Sequence, residues 1–321
     1  MQLFALLPLA LVVLASTSAA HAAVPHSARQ VTHLHGKRLS ELPPLAPAVI
    51  EELAKRDPKD IEYFHNDLSL LRALSGAESD PVKRAVALSG LQTRCTASHC
   101  FSLTFDDGPY TWHQEIANDV ANAGYLASFM VNGFNWDCIY DAPQVQSLRR
   151  SLNLGHQIAS HTWSHPHMVG LTYAQIDEQV ELIETALLKT AGVVPAFIRP
   201  PYGEVNDTIV QYLNEKHGLI VVNWNYDTED ASGATVDYSL NVIKNITAPT
   251  HAIVLQHETV NTTHSELVPQ ELPIIAKNGY TMKNVRTLAQ NFGVKPYKVV
   301  TSHGSRDSSW TCDGTPVPGQ G

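Results

Sequence analysis

The sequence predicts an α/β fold in which parallel strands alternate with helices, as an open sheet or one closed into a barrel. Three observations carry this. Between residue 99 and about 290, apolar runs near 100–105, 126–131, 156–160, 195–199, 218–224 and 251–256 are separated by helical stretches, and repeated strand–helix units build a parallel sheet. The residues capable of chemistry fall at the C-terminal ends of those runs, where parallel sheets carry their sites. The 321 residues, 44% of them hydrophobic, suffice for one large α/β domain or two small ones. No internal repeat interrupts the pattern.

Taken in order, Leu3 to Ala15 is almost wholly apolar but too short to span a bilayer, and Ala20-His21-Ala22 has the small-x-small form of a signal cleavage site. Residues 1–22 therefore read as a secretory signal, although no Lys or Arg precedes the apolar run. Residues 23–90 read as a linker followed by a small helical extension: a helical pattern over 46–55, then one over 58–74 with Ile61, Phe64, Leu68 and Leu71 on one face behind Asp57 as N-cap. Lys-Arg pairs at 37–38, 55–56 and 83–84 allow either a processed pro-segment or plain solvated helix faces. A catalytic domain is expected over 91–295, within which Tyr173 to Leu188 forms a helix with Ile176, Val180, Ile183 and Leu187 along one face. Residues 296–321 form a tail, rich in Ser, Gly and Pro from residue 301 and tied by Cys312.

Cys95, Cys100, Cys138 and Cys312 suit an oxidising compartment and allow three pairings. Asn206, Asn245 and Asn261 each open an Asn-x-Thr sequon. A net charge of −9 argues against nucleic acid and anionic membrane as partners, and no apolar C-terminal segment suggests a membrane span. The expected product is exported, extracellular or wall-associated, and monomeric, with no protein partner indicated.

The chemistry centres on Thr104-Phe105-Asp106-Asp107-Gly108-Pro109. Neighbouring side chains on a strand point to opposite faces, so Asp106 and Asp107 can share a site only if the strand ends there, and Gly-Pro ends it. Two converging carboxylates repel unless a metal or an Arg lies beside them. Ser160-His161-Thr162-Trp163-Ser164-His165 offers two imidazoles four residues apart, which a helical turn would place on one side as metal ligation requires, with His167 adjoining. Arg199-Pro200-Pro201-Tyr202-Gly203 ends another strand with a guanidinium able to hold a carboxylate, and with the Tyr202 amide as a candidate oxyanion donor. Trp224 to Asp230 places acids after a further strand, and Leu255-Gln256-His257-Glu258 closes the last with one His.

In order and spacing, these five stretches resemble the polysaccharide deacetylase family of carbohydrate esterases, from Thr104 to Glu258 and more loosely to about Val294. The resemblance implies a distorted (β/α) barrel. It implies that Asp107, His161 and His165 bind a divalent metal, zinc or else cobalt. Asp106 would be the general base with Arg199 as partner, His257 the general acid, and Asp230 the carboxylate orienting it. Leu255 would line the pocket for the acetyl methyl. One departure stands out: the family commonly carries Trp after Asp230, whereas here stands Ala231, which removes a pocket wall. Tyr110-Thr111-Trp112 and the stretch from Asn132-Gly133 to Cys138-Ile139-Tyr140 look most like fungal secreted chitin deacetylases. The expected activity is metal-dependent hydrolysis of N-acetyl groups in chitin or its oligomers, giving chitosan and acetate. Tyr110, Trp112, Trp136 and Trp163 are candidate sugar-stacking aromatics. Two alternatives remain: an acetylxylan or other polysaccharide O-acetyl esterase, and a non-catalytic carbohydrate-binding protein on the same scaffold. A glycoside hydrolase would set two carboxylates about 5 to 9.5 Å apart across a bond, and adjacent Asp106 and Asp107 beside a His pair suit a metal better.

Overall fold

The structure, a computed structural model, describes residues 45–63 and 88–320, with a short antiparallel pairing of 33–34 against 37–38. The expected signal 1–22, most of the 23–45 linker, the Lys-Arg pair at 83–84, and Phe64, Leu68 and Leu71 lie outside the described residues. The strands are β1 (Glu62–Tyr63), β2 (Leu91–Gln92), β3 (Phe101–Asp106), β4 (Ala127–Val131), β5 (Gln157–Ser160), β6 (Val193–Pro195), β7 (Phe197–Ile198), β8 (Ile220–Val222), β9 (Tyr226–Asp227), β10 (Ala252–His257) and β11 (Tyr297–Val300). The helices are α1 (Pro47–Leu53), α2 (His113–Asn122), α3 (Ala142–Asn153), α4 (Tyr173–Ala191), α5 (Asp207–His217), α6 (Val236–Lys244), α7 (Val268–Lys277) and α8 (Leu288–Phe292).

Eight strands form one parallel sheet in the order β9-β10-β3-β4-β5-β7-β8-β2. Its curvature follows from chain length. Strands β8 and β9 stand six steps apart in that order, about 29 Å across a flat sheet at ~4.8 Å per step. Only residues 223–225 join them, and four Cα steps reach ~15 Å at most. The sheet must curl until its edges approach, which gives the distorted barrel, open between β2 and β9 among the described residues.

Alternation along the strands then sorts side chains between inside and outside. Phe101, Leu103 and Phe105 of β3 join the core under the helices, together with Ala127, Phe129 and Val131 of β4. Met130, Ala159, Phe197, Ile220, Val222 and Ile253 fill the other face with Leu288, Ala289 and Phe292 of α8. Helix α8 is anchored there by polar bonds: Leu288 N–H donates to Ser128 Oγ (2.9 Å), Ala289 N–H to Gln157 Oε1 (2.9 Å), and Asn291 Nδ2 to Ser102 Oγ (2.8 Å). Helix α4 begins with a reciprocal capping box between Thr172 and Gln175 and ends at Gly192, whose φ of 76° is the left-handed value that favours glycine.

Two expectations change. The run 195–199 is divided between two sheets: Val193–Pro195 pairs antiparallel with β11, and the chain crosses at Ala196 to enter the main sheet as β7. Over residues 58–63 the expected helix is replaced by a short 3-10 turn, Pro58–Asp60, and by β1, which pairs with β11. Ile61 packs there with Leu45, Val49, Leu53, Leu188, Val194 and Val299. A free strand edge beside an apolar cluster outweighs a local helical pattern, which is a weak preference. The pattern over 46–55 does form α1, and the Ala48 N–H donates to Glu181 of α4 at 2.7 Å.

Of the three pairings open to the cysteines, the structure has Cys95–Cys100 and Cys138–Cys312. The second ties the tail to the loop after β4. Among the described residues no helix is long and apolar enough to cross a membrane.

Candidate active site

Strand β3 ends at Asp106, and Asp107 follows with φ 76°. That left-handed turn, costly for a non-glycine residue, brings both carboxylates to one side. The next turn is packed from beneath: a Cβ on Gly108 would lie 1.6 Å from Glu258 Oε1. Glu258 is fully buried, accepts from the Tyr110 N–H at 3.0 Å, and lies with both oxygens 2.8 Å from His113 Nδ1. His113 Nε2 in turn is 2.8 Å from Ser151 Oγ. This buried chain fixes where the two Asp residues point.

Both imidazoles reach the same place. His161 follows β5 directly; its Nε2 is 3.6 Å from Asp106 Oδ2 and 3.6 Å from Asp107 Oδ1, while His165 Nε2 is 3.2 Å from Asp107 Oδ1. The expected helical turn is absent. Residues 161–165 form a loop in which Thr162 (φ 71°) and His165 (φ 57°) are left-handed. The loop is held by Gln179 of α4, whose Oε1 accepts from the Trp163 N–H (3.0 Å) and the Ser164 N–H (2.9 Å). Its Nε2 donates to Ser164 Oγ (2.9 Å) and to the Gln320 carbonyl in the tail (3.1 Å). His167 stands apart and exposed, paired with Glu204.

One ligand atom each from Asp107, His161 and His165 lies within 4.8 Å of the others. His161 Nδ1 must donate to the Arg199 carbonyl, which only accepts (2.8 Å), so Nε2 keeps its lone pair toward the site. Burial, opposed by the two Asp residues and helped by the neighbouring His165, pushes His161 down to about 4, so it is neutral at ordinary pH. For Asp107 burial acts upward, but the neighbouring His165, His161 and His257 outweigh it and hold the carboxyl at about 2. Its Oδ1 is buried and, with His165 Nε2 at 3.2 Å, makes no well-aligned hydrogen bond. A neutral imidazole, an ionised carboxylate and an orphaned oxygen facing one point fit a divalent cation.

Two further pairs flank this group. Arg199, fully buried, donates from Nη1 to Asp106 Oδ1 at 2.6 Å and to Thr104 Oγ1 at 2.8 Å. On the adjacent strand β10, His257 is the register partner of Asp106. Its Nδ1 is 2.8 Å from Asp230 Oδ1, and its N–H donates to Asp230 Oδ2 at 2.8 Å. Thr263 Oγ1 (2.6 Å) and the Ala231 N–H (3.0 Å) complete the Asp230 shell. Burial acts downward on His257, yet Asp230, Asp107 and Asp106 together raise it to about 9. Asp230 is correspondingly held below its usual value, its burial outweighed by the bonds from His257 and Thr263. The imidazolium can give a proton to a leaving group, and Asp106 keeps Oδ2 toward the ligand group to accept one.

Around this centre, Tyr202 (φ 59°) lies half-exposed with its ring 4.5 Å from His165 and stacked on His167 at 4.0 Å. Leu255 sits two residues before His257 on β10, on the same face and buried. Trp112 stacks on His264 at 5.7 Å and touches Tyr110, which also contacts the exposed Trp136. Trp163 is core instead of a sugar platform: it is 1% exposed, and its indole donates to Thr315 at 3.0 Å. Asn206, Asn245 and Asn261 are all exposed, and Asn206 also caps α5 through Ile209 N–H (2.9 Å). Sequence reasoning assigned no role to Glu258, His113, Thr263 or Gln179. Only Gln179 left a signal, as a polar residue one position before Val180 on the apolar face of α4.

A model of the family described as polysaccharide deacetylase matches residues 93–221. The chain is 34% identical over 227 residues to a chitin deacetylase of Pestalotiopsis sp, covering 69% of this chain and 75% of that protein. It is 32% identical over 178 residues to a peptidoglycan-N-acetylglucosamine deacetylase of Bacillus cereus, covering 55% of this chain and 61% of that one. Among solved structures, the chitin deacetylase from Colletotrichum lindemuthianum superposes with a TM-score of 0.59 at 25% identity, over 65% of this chain and 93% of its own.

Proposed function

Because the chain belongs to the polysaccharide deacetylase family, whose members are hydrolases, we propose that it is an exported, zinc-dependent deacetylase removing N-acetyl groups from chitin or its oligomers. The observation that carries this is the register of Asp106 against His257 across β3 and β10. A candidate proton acceptor and a candidate proton donor thereby lie side by side on one face of the sheet, beside the three proposed metal ligands, an arrangement suited to hydrolysis of an amide.

Asp107, His161 and His165 would hold the ion. When bound, it supplies Lewis acidity toward an acyl oxygen and lowers the pKa of water. Asp106, fixed by Arg199 through one oxygen, takes the proton of the attacking water on the other. The Tyr202 amide would donate to the developing oxyanion. An amine leaves poorly unless protonated, and His257, held as imidazolium by Asp230, gives it the proton. Leu255 would receive the acetyl methyl. Tyr110, Trp112 and Trp136 offer ring faces to a sugar chain, whereas Ala231 contributes no wall, so grip on the reacting sugar should rest on the aromatic side. Export over residues 1–22 is in keeping with two disulfides and three exposed sequons. A purely carbohydrate-binding role is disfavoured by the complete set of ligands, base and acid.

The test is acetate release from N-acetylglucosamine oligomers of increasing length and from acetylxylan, before chelation, after it, and after zinc is restored. Release from the chitin oligomers that chelation abolishes and zinc recovers is the expected result. Faster release from acetylxylan would replace the amide substrate with an ester, and no release from either by zinc-loaded protein would overturn the reading.

A further inference from the structure

A groove of about 880 Å³ runs along the outside of the barrel, walled by Gln114 and Asn118 of α2, by Val145, Arg149 and Arg150 of α3, and by Arg306 of the tail segment 303–310. It is separate from the catalytic group, and none of its lining residues takes part in the chemistry above. Its charge is unlike the rest of the molecule. The chain carries a net charge of −9, yet three guanidiniums and His303 line this groove and no acidic side chain does.

The three arginines are held in place without being neutralised. Arg149 uses Nε on the Thr190 carbonyl (2.7 Å), and Arg150 uses Nε on Asn118 Oδ1 (3.0 Å). Arg306 donates through one Nη to the Tyr140 carbonyl, and its guanidinium lies over the Trp310 ring at 5.1 Å. Each is thus fixed by a neutral partner, and among the described residues none has a carboxylate within ion-pair distance. Partial burial, with a smaller contribution from repulsion by nearby Arg306, lowers the affinity of Arg149 for a proton. Like charges held together by neutral anchors cost stability, and an anion between them offsets that cost. Guanidinium forks suit oxyanions, binding them through paired N–H donors.

We propose that this groove is a binding site for a polyanion carrying at least two oxyanion groups, one held from the α3 wall by Arg149 and Arg150 and one from the tail wall by Arg306. An acidic glycan and a phosphate chain share that chemistry. Two calorimetric titrations tell them apart, using a trigalacturonate and sodium tripolyphosphate, each at low and at physiological salt. A neutral chitin trimer serves as the uncharged comparison. The expected result is saturable binding of at least one anion, weakened as salt rises. Loss of one charge-assisted contact in R149Q, R150Q or R306Q should weaken it about tenfold or more. Whichever anion binds more tightly identifies the source. Because Arg306 also anchors the tail, R149Q and R150Q on α3 are measured separately, with melting temperature and acetate release confirming that the fold is intact. Failure of both anions to bind at low salt would overturn the proposal. So would binding that R149Q, R150Q and R306Q all leave unchanged, which would place the anion elsewhere, for example on a metal at the catalytic centre.

Discussion

Replacing Asp230 by Asn tests the acid half of the chemistry, because it keeps the shape of the side chain while removing the charge that holds His257 protonated. In the folded chain His257 is raised from 6.5 to about 9, with Asp230 the largest upward influence and burial acting against it. A group with a raised pKa is in its acid form below that value and loses it above. At pH 8 the acid fraction is therefore about 0.9 in the native protein and about 0.03 if the pKa returns to 6.5, a roughly thirty-fold difference. At pH 5.5 both proteins would carry the proton and that part of the deficit should vanish, leaving only the smaller cost of a less well oriented ring. The assay is acetate release as a function of pH, with kcat followed separately from KM and melting temperature used to confirm folding. The native profile should fall on its alkaline side near pH 9, and that of Asp230→Asn near pH 6.5. A deficit of equal size at every pH would refute the reasoning, since it would mean that Asp230 orients the ring or supports the loop without setting its protonation.

Asp106→Asn should retain metal, measured by elemental analysis after gel filtration, while acetate release falls about a hundred- to ten-thousand-fold, the usual worth of a proton-transfer group. Gly108→Ala sets a methyl 1.6 Å from Glu258 Oε1. Glu258 cannot withdraw without breaking its bond to buried His113, so a loss of about 1–3 kcal/mol or more is expected in chemical denaturation. Gln179→Ala leaves the Trp163 and Ser164 N–H groups without their acceptor. It should weaken zinc retention in chelator competition more than it lowers the melting temperature, and truncation of the chain after residue 313, which keeps the Cys138–Cys312 disulfide, should act in the same direction by removing Thr315 and Gln320.

How far the site could be read from the residues depends on what fixes each one. Asp106, Asp107, Arg199, Asp230 and His257 stand at or just beyond strand ends, and a strand end is a local event, announced by an apolar run and a breaker. Their meeting in one place then follows from the parallel sheet, since every such end lies on the same side. The supports were illegible for the opposite reason. Glu258 and His113 are 145 positions apart, Gln179 and Gln320 are 141 apart, and no local pattern connects them. The His161–His165 spacing suggests a helical turn because four residues make one, but the chain spends two left-handed, non-glycine residues there, a costly conformation held by the His165 N–H on Thr162 Oγ1 and, from outside the segment, by Gln179. The run 58–74 likewise scored as a helix on its own terms, and over 58–63 lost to a strand edge supplied by β11.

The same contrast bears on where the protein can change without losing its chemistry. Asp106, His257 and their partners Arg199 and Asp230 are anchored by strand register and buried charge, so they move little unless the sheet itself moves. His165 is anchored by Gln179, which also bonds the tail at Gln320, and the tail is covalently tied at Cys312 to the loop bearing Cys138. Reduction of that disulfide would leave Asp106, Arg199, Asp230 and His257 untouched while loosening the segment that presents His165, one of the three proposed ligands. Metal retention should therefore fail before the proton-transfer groups do, and chelator competition on reduced protein, compared with the melting curve of the same sample, would show the order: if both are lost together, the tail stabilises the whole barrel and not the ligand loop.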